Sequence, residues 1–389
     1  MFKKFGLDYV LLEAYEEIVA PTGAAIGLMP NGSFIMDQLG CYEAIELAAQ
    51  DGELEDSHIR DSNSKSLMGL KHIMYHEEKR HGYPMLFSNR QWFLKVLYDQ
   101  LKNKDCIQLK SRVDHIKSIE GGIQVTTNDG KSYEGDFVLG ADGIHSNVRQ
   151  EMRRIADVTN PKYFEPGEED TVPCYYQYSY GIAQHVDSWP GREQCFTAGR
   201  GKSFVVVSGP GDRCYWFLFI KLPVVKHGTE IPKYSKEDEA RFVEEHASLK
   251  IKENLNFGQV YAKRLTSTLT PLHEIVYKKW VFNRIFLVGD SAHKVNSRFN
   301  QSLAFKVLMP LAGPHNFFRD LSLRIVGGSR LKHIDLPSRP RAIPYDHELP
   351  AKPLGVLPSR IAWGLFSLGM ILLPSCIRIC QQECGSSTP

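Results

Sequence analysis

Three apolar runs in this chain each end on an acidic residue, and this repetition constrains the fold more than any other feature. They are Asp8-Tyr-Val-Leu-Leu-Glu13, Phe137-Val-Leu-Gly-Ala-Asp142 and Trp280-Val-Phe-Asn-Arg-Ile-Phe-Leu-Val-Gly-Asp290. Short apolar runs closed by turn residues read as buried strands. Strands of this kind belong to a doubly wound α/β sheet, where ligands sit beyond the carboxyl ends. An acidic residue there can accept hydrogen bonds from sugar hydroxyls. Glu13 alone is weak evidence, because many strands end in Glu. Gly289-Asp290-Ser-Ala-His293 directly after an apolar run is a specific signal.

The rest of the chain alternates around these runs. Met29-Pro-Asn-Gly32 opens a segment with helical apolar spacing, and Asn89 to Tyr98 reads as an amphipathic helix. Residues 106–139 read as short strands around an Asn128-Asp-Gly130 turn. From 171 to 225 the pattern is β-rich, with Gly209-Pro-Gly-Asp-Arg213 as a hairpin turn, and 235–250 is a charged helix. Apolar residues at 42% and charged residues at 24% indicate a globular chain. A net charge of +2 gives no reason to expect nucleic-acid binding. The eight cysteines form no CxxC pair and read as reduced thiols. No metal site is expected: His293 has Ser297, not a ligand, four residues on.

Met1-Phe-Lys-Lys-Phe-Gly leads straight into the first strand, so no signal peptide is expected. Residues 361–377, IAWGLFSLGMILLPSCI, carry no charge between Arg360 and Arg378. Seventeen helical residues reach roughly 25 Å, the low end for a bilayer span. The expectation is a membrane location on the cytosolic face of the endoplasmic reticulum. A buried or interfacial helix is the alternative.

Several stretches together resemble the class A FAD-dependent monooxygenases, and within them the fungal epoxidases of meroterpenoid and indole-diterpene pathways. They are DYVLLEA (8–14), GAAIGLMPNG (23–32), LGCYEAI (39–45), SNRQ (88–91), VLGADGIHSNVR (138–149), SGPGDRCYWFLFIKL (208–222), FLVGDSAHK (286–294) and IPYDHELPAKP (343–353). The resemblance implies a Rossmann-like flavin domain with an inserted β-sheet substrate domain and C-terminal apolar helices. The flavin domain would use 1–50, 85–150 and 270–300. The β layer would use 51–84 and 160–265, and the helical region 304–389. FAD is the implied cofactor, NADPH the reductant, and dioxygen with a small prenylated molecule the substrates. By the same resemblance Glu13 contacts the adenosine ribose, Gly27 and Arg90 line the flavin site, and Asp290 holds the ribityl chain. Asp142 serves flavin and NADPH handling, and Arg200 and Tyr215 are the catalytic candidates in the β-rich region. Tyr215 lies in an alternating strand and reads equally as a packed core tyrosine. The flavin carries the oxygen chemistry, so the protein needs chiefly an apolar cavity with a few aligned polar groups.

Two family features have no counterpart here. The opening strand with its GxGxxG loop, which holds the pyrophosphate, is absent before Met1-Phe-Lys-Lys-Phe-Gly. After Asp290, where the family has a proline and a Gly-Gln-Gly stretch, the chain reads Val295-Asn-Ser-Arg-Phe-Asn-Gln301. The expected consequences are a sheet lacking its central strand, with open edges, and weak FAD binding. Losing three charge-assisted hydrogen bonds, each worth about 1.5–3 kcal/mol, weakens a dissociation constant roughly a thousandfold or more. Two alternative readings follow: an inactive remnant or incorrectly assembled gene product, and a membrane-anchored carrier of a hydrophobic ligand.

Overall fold

The computed structural model describes residues 2, 6–19, 23, 25–50, 52, 54–199 and 201–294, and the backbone of 376–381. Arg200, the stretch after Asp290 from 295 to 303, and the expected C-terminal helices lie outside the described residues, apart from 376–381.

Two large sheets organise the chain. The first has six strands in the order β19 (Val281–Phe282), β20 (Ile285–Leu287), β10 (Phe137–Ala141), β22 (Cys376–Gln381), β1 (Asp8–Glu13) and β6 (Ile107–Gln108). β10 runs parallel to β20, and β1 parallel to β6. β22 enters antiparallel between β1 and β10, so that Leu11 and Leu139 both face Arg378 in the ladder. The sheet centre is therefore filled, which corrects the expectation of open edges. The physical reason is general: the unpaired N–H and C=O groups of two neighbouring strands can be satisfied by any extended segment of either direction.

This strand also corrects the expected membrane location. Cys376 and Ile377, which end the uncharged run, are strand and not helix. Among the described residues no helix is long and apolar enough to cross a membrane. Residues 361–375 lie outside the described residues.

Helix α5 (Asn147–Thr159) covers one face of the six-stranded sheet. Its Val148, Met152, Ile155 and Ala156 join Leu12, Val138, Ile285 and Leu287 in one core. The small sheet β7 (Val113–Ile119), β8 (Gly122–Thr127) and β9 (Ser132–Gly135) closes that core with Val113, Ile116, Ile123 and Val125. Gly140 permits the close approach of α5: a Cβ there would stand 2.8 Å from Cβ and Cγ1 of Val148. Each large apolar side chain buried this way contributes about 1.5–3 kcal/mol.

The second sheet has seven strands: β17 (Arg264–His273), β11 (Pro173–Gln184), β14 (Arg213–His227), β13 (Lys202–Gly209), β12 (Glu193–Gly199), β3 (Asp56–Asp61) and β4 (Ser66–Leu70). β13 and β14 form the hairpin expected at Gly209 to Arg213, whose turn has Gly211 and Asp212 at positive φ. The period-two alternation sorts the side chains onto two faces. Phe204, Val206, Cys214, Trp216, Leu218 and Ile220 face helices α6 (Lys236–His246) and α7 (Phe257–Ala262). Val205, Val207, Tyr215 and Ile182 face the other way, with Phe196 and Ile59.

That second face meets the ribbon of β2 (Ala25–Leu28) and β5 (Leu86–Asn89), which leads into α4 (Arg90–Asp99). Helix α3 (Ile73–His81) packs beside it through Ile73 and Met74. The helical stretch expected after Met29 is two helices, α1 (Pro30–Gln38) and α2 (Tyr42–Ala48). They are parted at Gly40, whose φ of +73° no continuous helix tolerates. Two further short pairings are β15 (Lys250–Lys252) with β16 (Leu255–Asn256), and β18 (Ile275–Val276) with β21 (His293–Lys294) beside the 3₁₀ turn Gly289–Ser291.

Candidate active site

The carboxyl ends of β1, β10 and β20 lie at one end of the six-stranded sheet. Glu13 and Ala141 both pair with Cys376 in the ladder, which puts them two strand spacings apart, roughly 10 Å. Glu13 is only 1% exposed. Its Oε1 accepts the Tyr15 N–H at 3.0 Å, and its carbonyl accepts the Ser111 N–H at 2.8 Å.

Asp142 follows β10 and shapes the loop into α5. Its Oδ2 accepts the Val148 N–H at 3.0 Å, and its Oδ1 accepts the Ser146 hydroxyl. Ser146 in turn caps α5, its Oγ accepting the Arg149 N–H at 3.0 Å. Burial pushes the Asp142 carboxyl up, against the pull of these donors and of the Arg149 charge. Gly143, at φ +83°, makes the turn that the loop requires.

Arg149 joins this loop to the turn that carries Asp290. The side chain is 4% exposed. It donates to the Ile144 carbonyl at 2.7 Å and to the Ser291 carbonyl at 3.0 Å, and its Nε bonds Glu169 Oε1 at 2.9 Å. Its guanidinium lies 4.4 Å over the Tyr277 ring. Ser291 Oγ donates to the Gly140 carbonyl at 2.8 Å. Asp142 and Asp290 are thus held on adjoining turns. Asp290 is the open member of the set: its side chain is 41% exposed and its Oδ2 stands 3.4 Å from Lys294 Nζ. Sequence reasoning gave Arg149 no role, although its place seven residues after Asp142 at the start of a helix is visible in the chain.

Gly27 lies in the β2–β5 ribbon, and Arg90 opens the helix that follows it. Gly27 pairs with Phe87, and a Cβ on it would stand 3.4 Å from that ring. Arg90 is the first residue of α4, just after the cap Asn89, whose side chain accepts the Gln91 N–H at 2.8 Å. The Arg90 side chain lies along Gly23, where a Cβ would stand 2.9 Å from Arg90 Cδ.

Tyr215 is fully buried on the sheet face that meets this ribbon. Its ring packs edge-on against Phe87 at 5.2 Å, which links it through Phe87 to Gly27. Burial pushes its phenol up to about 12, against the charge and hydrogen bond of the Arg213 side chain two residues earlier. Arg200, the other catalytic candidate, lies outside the described residues.

An aromatic wall extends from Tyr215 along the same face. Tyr178 stacks on Phe219 at 4.6 Å, and Tyr180 lies 5.1 Å from Tyr178. Phe217 stands 6.3 Å from Phe87. Thr266, Thr268 and Thr270 of β17 sit opposite Ile182, Tyr180 and Tyr178 and give this apolar surface a hydroxyl-bearing edge. These residues received no role from the sequence, yet tyrosines at alternate positions of 176–180 carried the signal.

A separate cleft of about 400 Å³ lies beside α2 and α3, lined by Glu46, Leu54, Glu55, His72, Tyr75 and Arg192 among others, and holds none of the residues expected from sequence. On α3 itself, Glu77 Oε2 and His76 Nδ1 are buried without partners. Burial raises the Glu77 carboxyl to about 7, against a backbone hydrogen bond at Met85.

No protein-family model matches the chain. It is 31% identical over 298 residues, 77% of its length, to the FAD-dependent monooxygenase ausM of Penicillium brasilianum. It is 34% identical over 295 residues, 76% of its length, to the FAD-dependent monooxygenase andE of Emericella variicolor. The chain is a homologue of the fungal FAD-dependent monooxygenases. It spans 62% of the length of each of these two relatives. Among solved structures, Klebsiella pneumoniae HpxO complexed with FAD and uric acid matches with a TM-score of 0.58 at 20% identity, covering 82% of this chain and 83% of that one. This likeness establishes a shared α/β fold.

Proposed function

We propose that this chain is an FAD-dependent monooxygenase that inserts one oxygen atom of dioxygen into a small hydrophobic substrate, with NADPH as reductant. The reaction read from the sequence is epoxidation of a prenyl side chain in fungal secondary metabolism. The six-stranded sheet with the β2–β5 ribbon and α4 would form the flavin domain, and the seven-stranded sheet the substrate domain. The single observation that carries the reading is the aromatic wall of Tyr178, Tyr180, Phe217 and Tyr215 turned toward the ribbon of Gly27 and Phe87, in a chain homologous to such enzymes.

Asp290 would offer an accessible carboxylate to the ribityl hydroxyls of FAD, whereas Glu13, 1% exposed, would reach a ribose only after local rearrangement. Gly23 leaves Arg90 a groove that a Cβ would fill. When bound, FAD would supply the redox and oxygen-activating chemistry. The protein's part is to hold Asp142 and Asp290 in register through Arg149, to exclude water with the aromatic wall, and to orient an alkene on it. β22 is antiparallel, so no strand-to-loop phosphate cradle follows it at the ligand end of the sheet. FAD binding is therefore expected to be saturable but weak.

Titrating the purified chain with FAD and following flavin fluorescence tests this reading. Saturable binding that weakens about tenfold in Asp290→Ala is the expected result. No saturable binding would overturn it, and tight stoichiometric binding would overturn the weak-cradle part alone. The homology favours neither the remnant reading nor the ligand-carrier reading.

A further inference from the structure

We infer that helix α3 is a flap over the aromatic face, held shut while Glu77 carries its proton and released when the proton leaves. The inference rests on the reading of that face as the substrate surface, whose access the flap would govern. Three features mark α3 (Ile73–His81) as a movable element. Ile73 and Met74, which join it to the cluster of Phe87, Tyr180, Tyr215 and Phe217, both lie in its first turn. The residues bracketing the helix are both left-handed, His72 at φ +53° and Gly82 at φ +79°, and no side chain caps its start. Histidine is disfavoured there, so a backbone change at His72 relieves strain rather than creating it. The flank carrying Met74, Tyr75 and Glu78 borders the cleft of about 400 Å³ toward α2, which gives the helix space to move into. An element with so few buried contacts opens at low cost.

Glu77 is the latch. It stands one turn after Ile73, on the stripe of the helix that meets the cluster. Its carboxyl takes a hydrogen bond from the Met85 backbone, and the Met85 side chain packs against the same cluster. Its Oε2 is buried with no partner. A neutral carboxyl tolerates this position, whereas a carboxylate has one donor where a buried charge needs several. The titratable groups around it are His76, Glu78, Lys79 and His81 on α3, Tyr83 on the turn that follows, and Tyr180 and Tyr215 on the sheet face. None of them contributes to its shift: burial raises the carboxyl to about 7, opposed by the Met85 bond. Swinging α3 outward returns Glu77 to water and to its ordinary 4.5. The ratio of open to closed helix therefore rises with pH, by about tenfold between pH 6 and pH 8.

The full chain and Glu77→Gln are compared at pH 6 and pH 8 by two measurements. The first is hydrogen exchange of the α3 amides and of the Met85 amide, corrected for the intrinsic rate, with β13 and β14 as the control for folding. The second is the association rate of a farnesylated phenol, followed by stopped-flow tryptophan fluorescence. In the parent, exchange in α3 and at Met85 should quicken about tenfold from pH 6 to pH 8 while β13 and β14 stay protected. The association rate should rise by a similar factor. Glutamine cannot ionise, so both measurements should stay flat in Glu77→Gln. Exchange within twofold at the two pH values in the parent would overturn the inference, as would an equal rise in Glu77→Gln. A constant association rate while α3 opens would overturn it too, since the ligand would then reach the wall by another route. Opening with the expected pH dependence but no binding of the phenol at either pH would sink the substrate reading and leave the flap standing.

Discussion

The two large sheets solve the same problem by opposite means. The seven-stranded sheet draws five of its strands from the continuous stretch 173–273, and its long antiparallel partners β11, β14 and β13 sit side by side. Both of its faces are covered, by α6 and α7 on one and by the ribbon and α3 on the other. The six-stranded sheet is gathered from pieces far apart in the chain, and among the described residues its middle is held by β22. The first sheet is a self-sufficient platform. The second is an assembly whose integrity depends on one short, distant segment, and it is the one whose strand ends carry Glu13, Asp142 and Asp290.

The sharpest way to break this comparison is Ile379→Pro. The backbone of Ile379 pairs with Val10 on one side and Val138 on the other. Proline in a central strand removes a ladder hydrogen bond, and the expected cost is about 3 kcal/mol or more. Hydrogen exchange should show β1 and β10 losing protection while β13 and β14 keep theirs. Equal loss in both sheets would show that they are one cooperative unit.

A matched pair of glycine substitutions sharpens the contrast. Gly181→Ala places a Cβ 2.3 Å from the Thr266 carbonyl oxygen and 2.3 Å from the Trp216 ring. Neither can move aside, so about 3 kcal/mol of destabilisation is expected in urea melts. Gly140→Ala meets Val148 at 2.8 Å, a side chain on a helix that can shift, so about 1–2 kcal/mol is expected. The reverse order would mean that the seven-stranded sheet is the more compliant of the two.

Between these two in size stands a pH effect at α3, against the seven-stranded sheet. Glu77 is raised to about 7 in the folded chain from an ordinary 4.5. The folded state then holds the proton more tightly, so stability is greatest below about 4.5 and falls as pH rises through about 7. The expected size is roughly 2–3 kcal/mol. Glu77→Gln should melt higher than the parent at pH 8 and lose that advantage by pH 5. An advantage independent of pH would show that the carboxyl is not buried as described.

The acidic strand ends and the Gly209–Arg213 hairpin were legible because each is written locally: an apolar run, then a turn residue. The faces of the seven-stranded sheet were half legible, since alternation at 176–182 marks which side chains share a face but not which face meets the ribbon. Arg149 was not legible, because its partners Ile144 and Ser291 are brought together only by the pairing of β10 with β20. β22 was the largest miss. Six residues are too few for periodicity to separate strand from helix, and an apolar neighbourhood suggested the membrane where the decisive factor was two unpaired strands waiting elsewhere in the fold.

That waiting has a consequence for the order of birth of the two sheets. About 235 residues separate Ala141 from Cys376, which at about 5–20 residues per second takes roughly 12–47 s to synthesise. Through that interval the nascent chain must keep β1 and β10 from pairing with strangers, while the hairpins of the other sheet can already close behind the ribosome.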